Sequence, residues 1–444
     1  MQRRSFLAGT AAAAGLATAG CGNLATSDPN TLTFMFRGGL DERAAYTQAI
    51  AEFERQNDVT VNVVVTDGDQ YDTKLQAAIL GQKTPDVFYF DSGKLKAYAI
   101  NDVLQDMSPY LESAGTAVDE LWPLAVDLYR FDGEIQGQGS AIYGLPKDIG
   151  PFSFGYNRTM FEEAGLALPD PELPYSWDEF TEICQELTQD RDGDGALDQW
   201  GTGLNVTWNL QALVWSNGGD WSDESVTTVT VDTPEFAEAL QFFADLQNVH
   251  QVTPSIAESQ TMDTYQRWMR GQIGFFPVAP WDLSTYRDLD FEWDLIPYPA
   301  GSTGSPATWI GSLGIGVSSA SRNPEMATRL AAFLSADPGT QELLVDAGIQ
   351  IPNIRSTALE WAADDSFMPE NKAEMIRIVE DYGRPLPGYN TYNAEWYTEF
   401  FTNIQPVLDG DQTAAEYCAW VQPRMQTRLD AANRQEQIDR GEFR

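Results

Sequence analysis

The sequence is poor in the groups that many enzymes use for catalysis. Only one of its 444 residues is a histidine, His250, which lies on a polar stretch after a predicted helix. Neither the G-x-S-x-G turn of serine hydrolases nor the H-E-x-x-H pattern of zinc proteases occurs. The hydrolase classes that depend on those motifs are therefore excluded. A glycosidase that uses two carboxylates stays open, because 66 acidic residues offer many pairs.

Basic residues are also scarce. The chain has 27 Lys and Arg against 66 Asp and Glu, which gives a formal charge of −39. A nucleic-acid partner is disfavoured, because contacts to phosphates need Lys and Arg. The acidic excess predicts a solvated shell that keeps the protein soluble. Only six of the basic residues are Lys, and this skew together with the acidity indicates a salt-tolerant host.

The chain has only three cysteines and no long apolar run after the N-terminus, which limits the possible disulfide bonds and membrane-spanning helices. Cys184 and Cys418 lack the spacing of a disulfide framework, so we expect both to be buried and unpaired, with a disulfide as the alternative. No run after the N-terminal segment approaches 18 apolar residues, so no membrane-spanning helix is predicted.

The N-terminal segment has the features of an export signal. Arg3-Arg4, Phe6-Leu7 and a run of small apolar residues lead to Cys21, and this segment resembles a twin-arginine signal joined to a lipobox. We therefore expect residues 1–20 to be a signal peptide, Cys21 to be lipidated and residues 21–30 to be a tether. The mature protein would be exported and anchored by lipid to the outer face of the cytoplasmic membrane.

The first hundred residues predict an open α/β sheet. The β-rich runs 31–36, 59–65 and 86–90 alternate with helical patterns, the first of which places Tyr46, Ile50 and Phe53 on one face. Strands that alternate with helices at this spacing form a parallel sheet, and ligands bind beyond the carboxyl ends of such strands. Arg37 and the pair Asp91-Ser92 lie at those ends.

Aromatic residues are abundant, with 13 Trp, 17 Tyr and 22 Phe. Most are expected in the core. Five tryptophans, however, lie where Gly, Pro or Asn interrupts regular structure, and these are Trp208, Trp215, Trp221, Trp281 and Trp309. An aromatic ring in a loop suits a sugar, because the apolar C–H face of a pyranose stacks on it while planar polar side chains bind the hydroxyls.

Five segments together resemble the sugar-binding lipoproteins of ABC importers, the group similar to maltose-binding protein. The resemblance covers nearly the whole mature chain. Its carriers are TPDVFYFDSGKLKAYAINDVLQDMSPY (84–110), AIYGLPKDIGPFSFGYNRTMFEEAGL (141–166), YSWDEFTEICQELTQDRDGDGALDQWG (175–201), GQIGFFPVAPWDL (271–283) and NPEMATRLAAFLSADPGTQELLVDAG (323–348).

The resemblance implies a two-lobed α/β fold with the ligand in a cleft between the lobes. The expected N-lobe is 31–148 plus 312–356, the C-lobe is 149–311 plus 357–432, and 433–444 forms a polar tail. Asp148 stands in for an acidic ligand that relatives hold slightly later, where this chain has Gly150. The full set of expected ligand-binding residues is Arg37, Phe90, Asp91, Ser92, Lys147, Asp148, Trp208, Asn209, Trp281, Asp282, Trp309, Gly311, Tyr389 and Trp396.

The segment DRDGDGALDQWG is similar to a calcium-binding loop. Asp190, Asp192, Asp194 and Asp198 fall at positions 1, 3, 5 and 9, and Ala196 at position 7 would offer its carbonyl oxygen. Position 12, normally a bidentate Glu, is Gly. The alternative is an acidic turn without metal. No helix follows the loop, so we expect structural Ca²⁺ rather than a calcium switch.

These observations predict a monomeric carbohydrate-binding subunit that hands its ligand to the permease subunits of an ABC importer and does no chemistry on it. Two other functions stay open at this point, which are a secreted carbohydrate-active enzyme and a ligand-sensing subunit of a membrane receptor.

Overall fold

The computed structural model describes residues 28, 30–364 and 366–442. The predicted signal peptide, Cys21 and most of the predicted tether therefore lie outside the described residues. The described chain folds into two α/β lobes joined by crossing strands. Its strands are β1 (Thr31–Arg37), β2 (Thr60–Thr66), β3 (Val87–Asp91), β4 (Gly144–Pro146), β5 (Gly150–Pro151), β6 (Ser153–Asn157), β7 (Trp200–Thr202), β8 (Ile273–Val278), β9 (Trp293–Ile296), β10 (Thr308–Gly311), β11 (Leu313–Val317) and β12 (Gly383–Pro385).

The α-helices surround these sheets and carry the predicted periodicity. In the first of them, Tyr46, Ile50 and Phe53 are buried against the sheet, as their spacing predicts. The α-helices are α1 (Leu40–Asn57), α2 (Gly68–Leu80), α3 (Leu95–Ile100), α4 (Ser108–Ala114), α5 (Pro123–Asp127), α6 (Arg158–Ala164), α7 (Trp177–Leu187), α8 (Val206–Ser216), α9 (Pro234–Asn248), α10 (Ile256–Thr261), α11 (Thr264–Trp268), α12 (Leu283–Tyr286), α13 (Pro324–Ala336), α14 (Pro338–Asp346), α15 (Arg355–Ala362), α16 (Ala373–Arg377), α17 (Glu395–Thr402), α18 (Gln405–Leu408) and α19 (Ala414–Asp439).

The N-lobe contains a five-stranded sheet of order β2-β1-β3-β11-β4. Strand β1 pairs in parallel with β2 and β3, which confirms the predicted βαβ arrangement. Strand β11 returns from much later in the chain and lies antiparallel between β3 and β4. Its pairing joins the segment after residue 312 to the N-lobe and aligns the ends of β3 and β11, where Leu313 is opposite Asp91.

The C-lobe is built on a four-stranded sheet of order β7-β8-β6-β9. Its core is dense in aromatic rings; the ring of Phe154, for example, stacks on that of Phe275 at a centroid distance of 5.5 Å. Trp215 and Trp221, which were expected at a break in regular structure, are both buried in this core, and Trp215 lies within α8.

The lobes are connected where β4 passes into β5 and β10 passes into β11. A small sheet of order β12-β10-β5 lies here, with Gly311 opposite Gly150 in antiparallel pairing. Asp148 ties the two crossing segments together, because its Oδ1 accepts the backbone N–H of Leu313 at 3.0 Å and its carbonyl accepts the hydroxyl of Ser312.

The segment predicted as a polar tail, 433–444, is helical for most of its length, because α19 continues to Asp439. The last turn of this helix crosses to the N-lobe. Glu436 forms an ion pair with Lys96 at 3.0 Å, and Arg440 donates a hydrogen bond to the carbonyl of Gly133. These polar residues are ordered by contacts with distant parts of the chain.

The expectation for the two cysteines holds in the described residues. Cys184 and Cys418 are both buried and unpaired. No helix in the described ranges has both the length and the apolarity that crossing a membrane requires.

Candidate functional site

A cavity of about 1310 Å³ opens between the lobes. The N-lobe contributes the segment after β1, the end of β3 and the crossing segment at residues 147–148. The C-lobe contributes the starts of α8 and α11, the turn after β8 and the segment before α17. Ten of the fourteen predicted ligand residues line it, namely Arg37, Asp91, Lys147, Asp148, Trp208, Trp281, Asp282, Trp309, Gly311 and Tyr389.

Three tryptophans form a continuous wall on the C-lobe side. The ring of Trp309 lies 5.6 Å from that of Trp208 and 6.4 Å from that of Trp281, measured between centroids. Trp309 is 3% exposed and stacks on Phe152 at 4.4 Å, whereas Trp208 and Trp281 are 47% and 43% exposed. The buried ring therefore supports two rings whose faces remain available to a ligand.

Local backbone features hold this wall in place. Trp208 lies in the first turn of α8, which begins after Asn205, whose side chain accepts the N–H of Thr207 at 2.9 Å. The indole N–H of Trp309 donates to the carbonyl of Trp208 at 2.8 Å. Gly311 leaves room for the Trp309 ring, since a β-carbon there would lie 2.9 Å from Cζ3 of that ring. The tryptophan positions are thus coupled to the crossing strands.

A buried charge network forms the N-lobe floor of the cavity. The ammonium group of Lys147 lies 3.1 Å from Oδ2 of Asp148 and 3.6 Å from Oε1 of Glu42. Glu42 also accepts a hydrogen bond from the hydroxyl of Tyr89 at 3.0 Å. Burial alone lowers the pKa of Lys147, but the two carboxylates outweigh it and raise the pKa above the usual value. Lys147 therefore stays charged and fixes the crossing segment.

Two cavity carboxyls are ionised less readily than usual. Burial raises the pKa of Asp91, although the N–H of Gly93 opposes this by donating to its carboxylate. Burial raises the pKa of Asp282 to about 7, with only a backbone interaction at Ala279 opposing it. Desolvation disfavours the charged form of a carboxyl, so both groups gain when a ligand supplies a hydrogen-bond donor.

Four of the predicted ligand residues do not line the cavity, and these predictions are corrected. Phe90 is buried in the N-lobe core, with its ring 5.3 Å from that of Tyr129. Ser92 is fully buried at the start of a short turn. Asn209 is buried and donates to the hydroxyl of Tyr298 at 3.0 Å.

Trp396 is the fourth correction. It is fully buried in the C-lobe core, and its indole N–H donates to the hydroxyl of Thr391 at 3.2 Å. A neighbouring aromatic residue of the same helix, Tyr397, lines the cavity instead. The sequence gives no local sign of this one-residue difference, because both aromatic residues lie in the first turns of α17.

The cavity also contains residues that sequence reasoning missed. Glu42, Tyr265, Phe276 and Tyr397 all line it. Phe276 is one of six buried residues of β8, so the strand pattern did not separate it from the core. Tyr265 lies two residues after Asp263, which caps α11 by accepting the backbone N–H of Gln266 at 2.7 Å. An aromatic residue just after a helix cap was the sequence signal that could have identified Tyr265.

The acidic loop between α7 and β7 has part of the predicted calcium geometry. Carboxylate oxygens of Asp190, Asp192 and Asp194 lie within 4.8 Å of one another. The carboxylate of Asp190 accepts the backbone N–H groups of Gly193 at 2.7 Å and Gly195 at 2.8 Å, which curves the loop around these oxygens. The three carboxylates are exposed, so they are accessible to a cation.

The rest of the predicted metal set is less complete. Asp198 is turned toward the loop, where its Oδ1 accepts the N–H of Arg191 at 3.2 Å. Gly201 at position 12 has no room for a side chain, since its β-carbon would lie 2.3 Å from the carbonyl oxygen of Cys184. The residues present therefore fit an oxygen-ligated cation that lacks the usual bidentate Glu, with the remaining coordination left to water.

The chain is similar to a known bacterial protein family and to several of its members. The family described as bacterial extracellular solute-binding protein matches residues 38–341. An arabinooligosaccharide-binding protein of Halalkalibacterium halodurans is 24% identical over 67% of this chain and 66% of its own length. An uncharacterized lipoprotein of Streptomyces antibioticus is 24% identical over 65% of this chain and 63% of its own. The chain thus spans slightly under two thirds of the length of these relatives.

Solved structures support the two-lobed fold. An ABC substrate-binding protein from Listeria monocytogenes, in complex with cycloalternan, has a TM-score of 0.78 and 24% identity, and the match covers 90% of this chain and 99% of that one. The resemblance inferred from the five segments and the predicted fold class are both confirmed. The matched family consists of binding proteins, so the enzyme alternative is not favoured.

Proposed function

The chain belongs to the bacterial extracellular solute-binding proteins, and we propose that it captures a carbohydrate in its cleft and delivers it to the permease subunits of an ABC importer. The observation that supports a carbohydrate as the ligand is the aromatic wall. On this wall Trp208 and Trp281 are about half exposed, and carboxyl groups line the same cavity. An aromatic face and planar hydrogen-bonding groups match the two surfaces of a pyranose. The relative that binds arabinooligosaccharides supports this choice.

Ligand capture depends on contacts from both lobes. Asp91 and Asp148 contact the ligand from the N-lobe side, while Trp208 and Trp281 stack on it from the C-lobe side. A ligand held by both lobes favours the closed form, and it shifts the equilibrium only by the contacts that the open form lacks. The permease subunits would then recognise the closed form, and the protein acts as a monomer.

The N-terminus completes the proposal. Cleavage before Cys21 and lipidation of its thiol would hold the binding protein at the outer face of the cytoplasmic membrane, close to the permease. The similarity to an uncharacterized lipoprotein is in line with this placement.

We also propose a structural calcium ion in the acidic loop. Asp190, Asp192 and Asp194 would hold it, together with Asp198 and the carbonyl of Ala196. The ion would supply charge that offsets the repulsion between these carboxylates. The loop connects α7 to β7, and β7 pairs with β8, the strand that leads to Trp281. The ion would therefore stabilise the lobe that carries the tryptophan wall.

A thermal-shift screen against a panel of mono- and oligosaccharides tests the carbohydrate. A ligand that binds only the folded state raises the melting temperature, and calorimetry then gives its affinity. Incubating the best ligand with protein, followed by product analysis, separates capture from hydrolysis. A panel without any shift, or release of a cleaved sugar, contradicts the proposal. Co-purification with the permease subunits distinguishes an importer subunit from a receptor subunit.

A further inference from the structure

The charges that line the cavity are divided unevenly between the two lobes. Its cationic residues are Arg37, Arg43 and Lys147, which all belong to the N-lobe side. Arg43 is paired with Asp67 at 3.4 Å, and Lys147 is committed to the buried network described above. Among the described residues of the C-lobe wall there is no Lys or Arg, whereas Asp263 and Asp282 are both present.

Asp282 has no charged partner in the described part of the chain. No ion pair reaches its carboxylate, and the ionisable groups near it are the phenols of Tyr265 and Tyr286. The hydroxyl of Tyr286 is buried without a hydrogen-bond partner. Asp263 interacts electrostatically with Tyr265 and caps α11 through its side chain. A desolvated carboxyl in such a corner is costly as an anion unless something else supplies positive charge.

The same corner is aromatic. Asp282 directly follows Trp281, whose ring is 43% exposed, and the ring of Tyr265 lies 6.2 Å from that of Phe276. The electron-rich faces of Trp and Tyr attract cations, and the attraction grows when water is excluded. Aromatic rings together with an unpaired carboxylate at one wall are suited to bind an ammonium group, which is attracted by both. A neutral hydroxyl can hydrogen-bond to the carboxylate but gains no charge attraction from the rings.

We propose that Asp282 and the rings around it recognise a positively charged group, so that the cleft takes a carbohydrate with a protonated amine. The inference rests on the proposed function, since it names the class of carbohydrate that the same cleft binds. The amine binds at the C-lobe wall beside Trp281, and the remaining hydroxyls reach the carboxyls of the N-lobe floor.

Matched sugars and calorimetry at pH 7 test the inference. The pairs are glucosamine with glucose, galactosamine with galactose, and the β-1,4 disaccharide of glucosamine with cellobiose, each compared with the N-acetylated form. We expect at least one amino sugar to bind tenfold or more tightly than both its neutral partner and its N-acetylated form. Equal affinities within every pair overturn the inference.

The variant Asp282→Asn tests the assigned residue, because it keeps the shape and removes the charge. It should lose the preference for the amine, so that the amino sugar and its neutral partner bind with equal affinity, and Asp282→Glu should restore part of the preference. Asp288→Asn is the matched control, since Asp288 is exposed and does not line the cavity. A preference that survives in Asp282→Asn, or is lost equally in Asp288→Asn, contradicts the role of Asp282.

The outcomes also separate this inference from the proposed function. Binding of neutral sugars without any preference for an amine overturns the inference and leaves a carbohydrate-binding protein. Absence of binding by every sugar in both the matched pairs and the wider panel overturns both. Melting temperatures of all variants are measured alongside, so that a folding defect is recognised directly.

Discussion

A β-carbon on Gly150 would lie 2.7 Å from Cζ3 of Trp281, so the first crossing strand and the exposed tryptophan occupy adjoining space. Gly150 also pairs with Gly311 on the second crossing segment. A side chain at residue 150 cannot be accommodated here without moving the ring. The absence of a side chain at residue 150 therefore shapes the wall on which the ligand stacks.

This contact predicts that Gly150→Ala weakens ligand binding by tenfold or more with a small loss of stability. The added methyl group must displace the Trp281 ring, because ordinary carbon contacts lie near 3.5–4.0 Å. The matched control is Gly68→Ala, which also lines the cavity but has nothing within 4 Å of the new β-carbon. Calorimetry with the best ligand from the screen measures both, and equal affinities in the two variants contradict the prediction.

The exposed and buried tryptophans should respond differently to truncation. Trp208→Ala and Trp281→Ala are expected to weaken binding by at least tenfold and to leave the fold intact, because both rings are about half exposed. Trp396→Ala should lower the free energy of unfolding by about 3–5 kcal/mol, since it opens a cavity in the core. Urea unfolding and calorimetry separate the two effects, and unchanged affinity in both cleft variants would remove them from the site.

The partly buried carboxyl of Asp282 predicts a pH-dependent stability. Its pKa is about 7 in the folded protein and 3.8 as the ordinary value, so between these pH values the folded state holds a proton that the unfolded state has lost. Its contribution to stability therefore falls as the pH rises from about 4 to 7 and levels off above 7. Asp282→Asn lacks this loss and should melt higher than the parent at pH 8.

The size of that effect is bounded. Each pKa unit corresponds to about 1.4 kcal/mol, so the ionised form costs the folded state at most about 4 kcal/mol, and contact with water reduces this. Melting curves of parent and variant from pH 4 to 9, without ligand, check the prediction. A constant difference in melting temperature across that range is the contrary result.

Removal of calcium should act on stability more than on affinity. A chelator is expected to lower the melting temperature, because Asp190, Asp192 and Asp194 then repel one another without compensation. Ligand affinity should change less than threefold, since this loop does not line the cavity. In Asp190→Asn the chelator should have little further effect. Loss of binding without any loss of stability points instead to a regulatory ion.

The last turn of α19 should contribute to stability across the lobes. A chain that ends at residue 432 loses the ion pair between Lys96 and Glu436, whose side chains are both 12% exposed. We expect a drop of several degrees in melting temperature, whereas Gln437→Ala, at an exposed position of the same turn, should be neutral. If the truncated protein has the same melting temperature as the parent, the segment does not contribute to stability and behaves as a tail.

Local patterns in the sequence determined much of the fold. The spacing of Tyr46, Ile50 and Phe53 is enough to define the buried face of α1, because a helix repeats every 3.6 residues. The alternation of strands and helices in residues 31–91 similarly implied a parallel sheet and the cleft position of Arg37 and Asp91. Both features depend on residues that are close in sequence.

Only the tertiary structure separated the tryptophans that line the cleft from those in the core. Trp281 and Trp396 both follow breaks in regular structure, yet one is 43% exposed and the other is sealed beneath the C-terminal helices. The same holds for Glu436, which the sequence pattern assigns to a polar tail, whereas in the structure Lys96, 340 residues earlier, lies 3.0 Å from it. Exposure and ion pairing are set by contacts between distant segments, and periodicity along the chain carries no information about them.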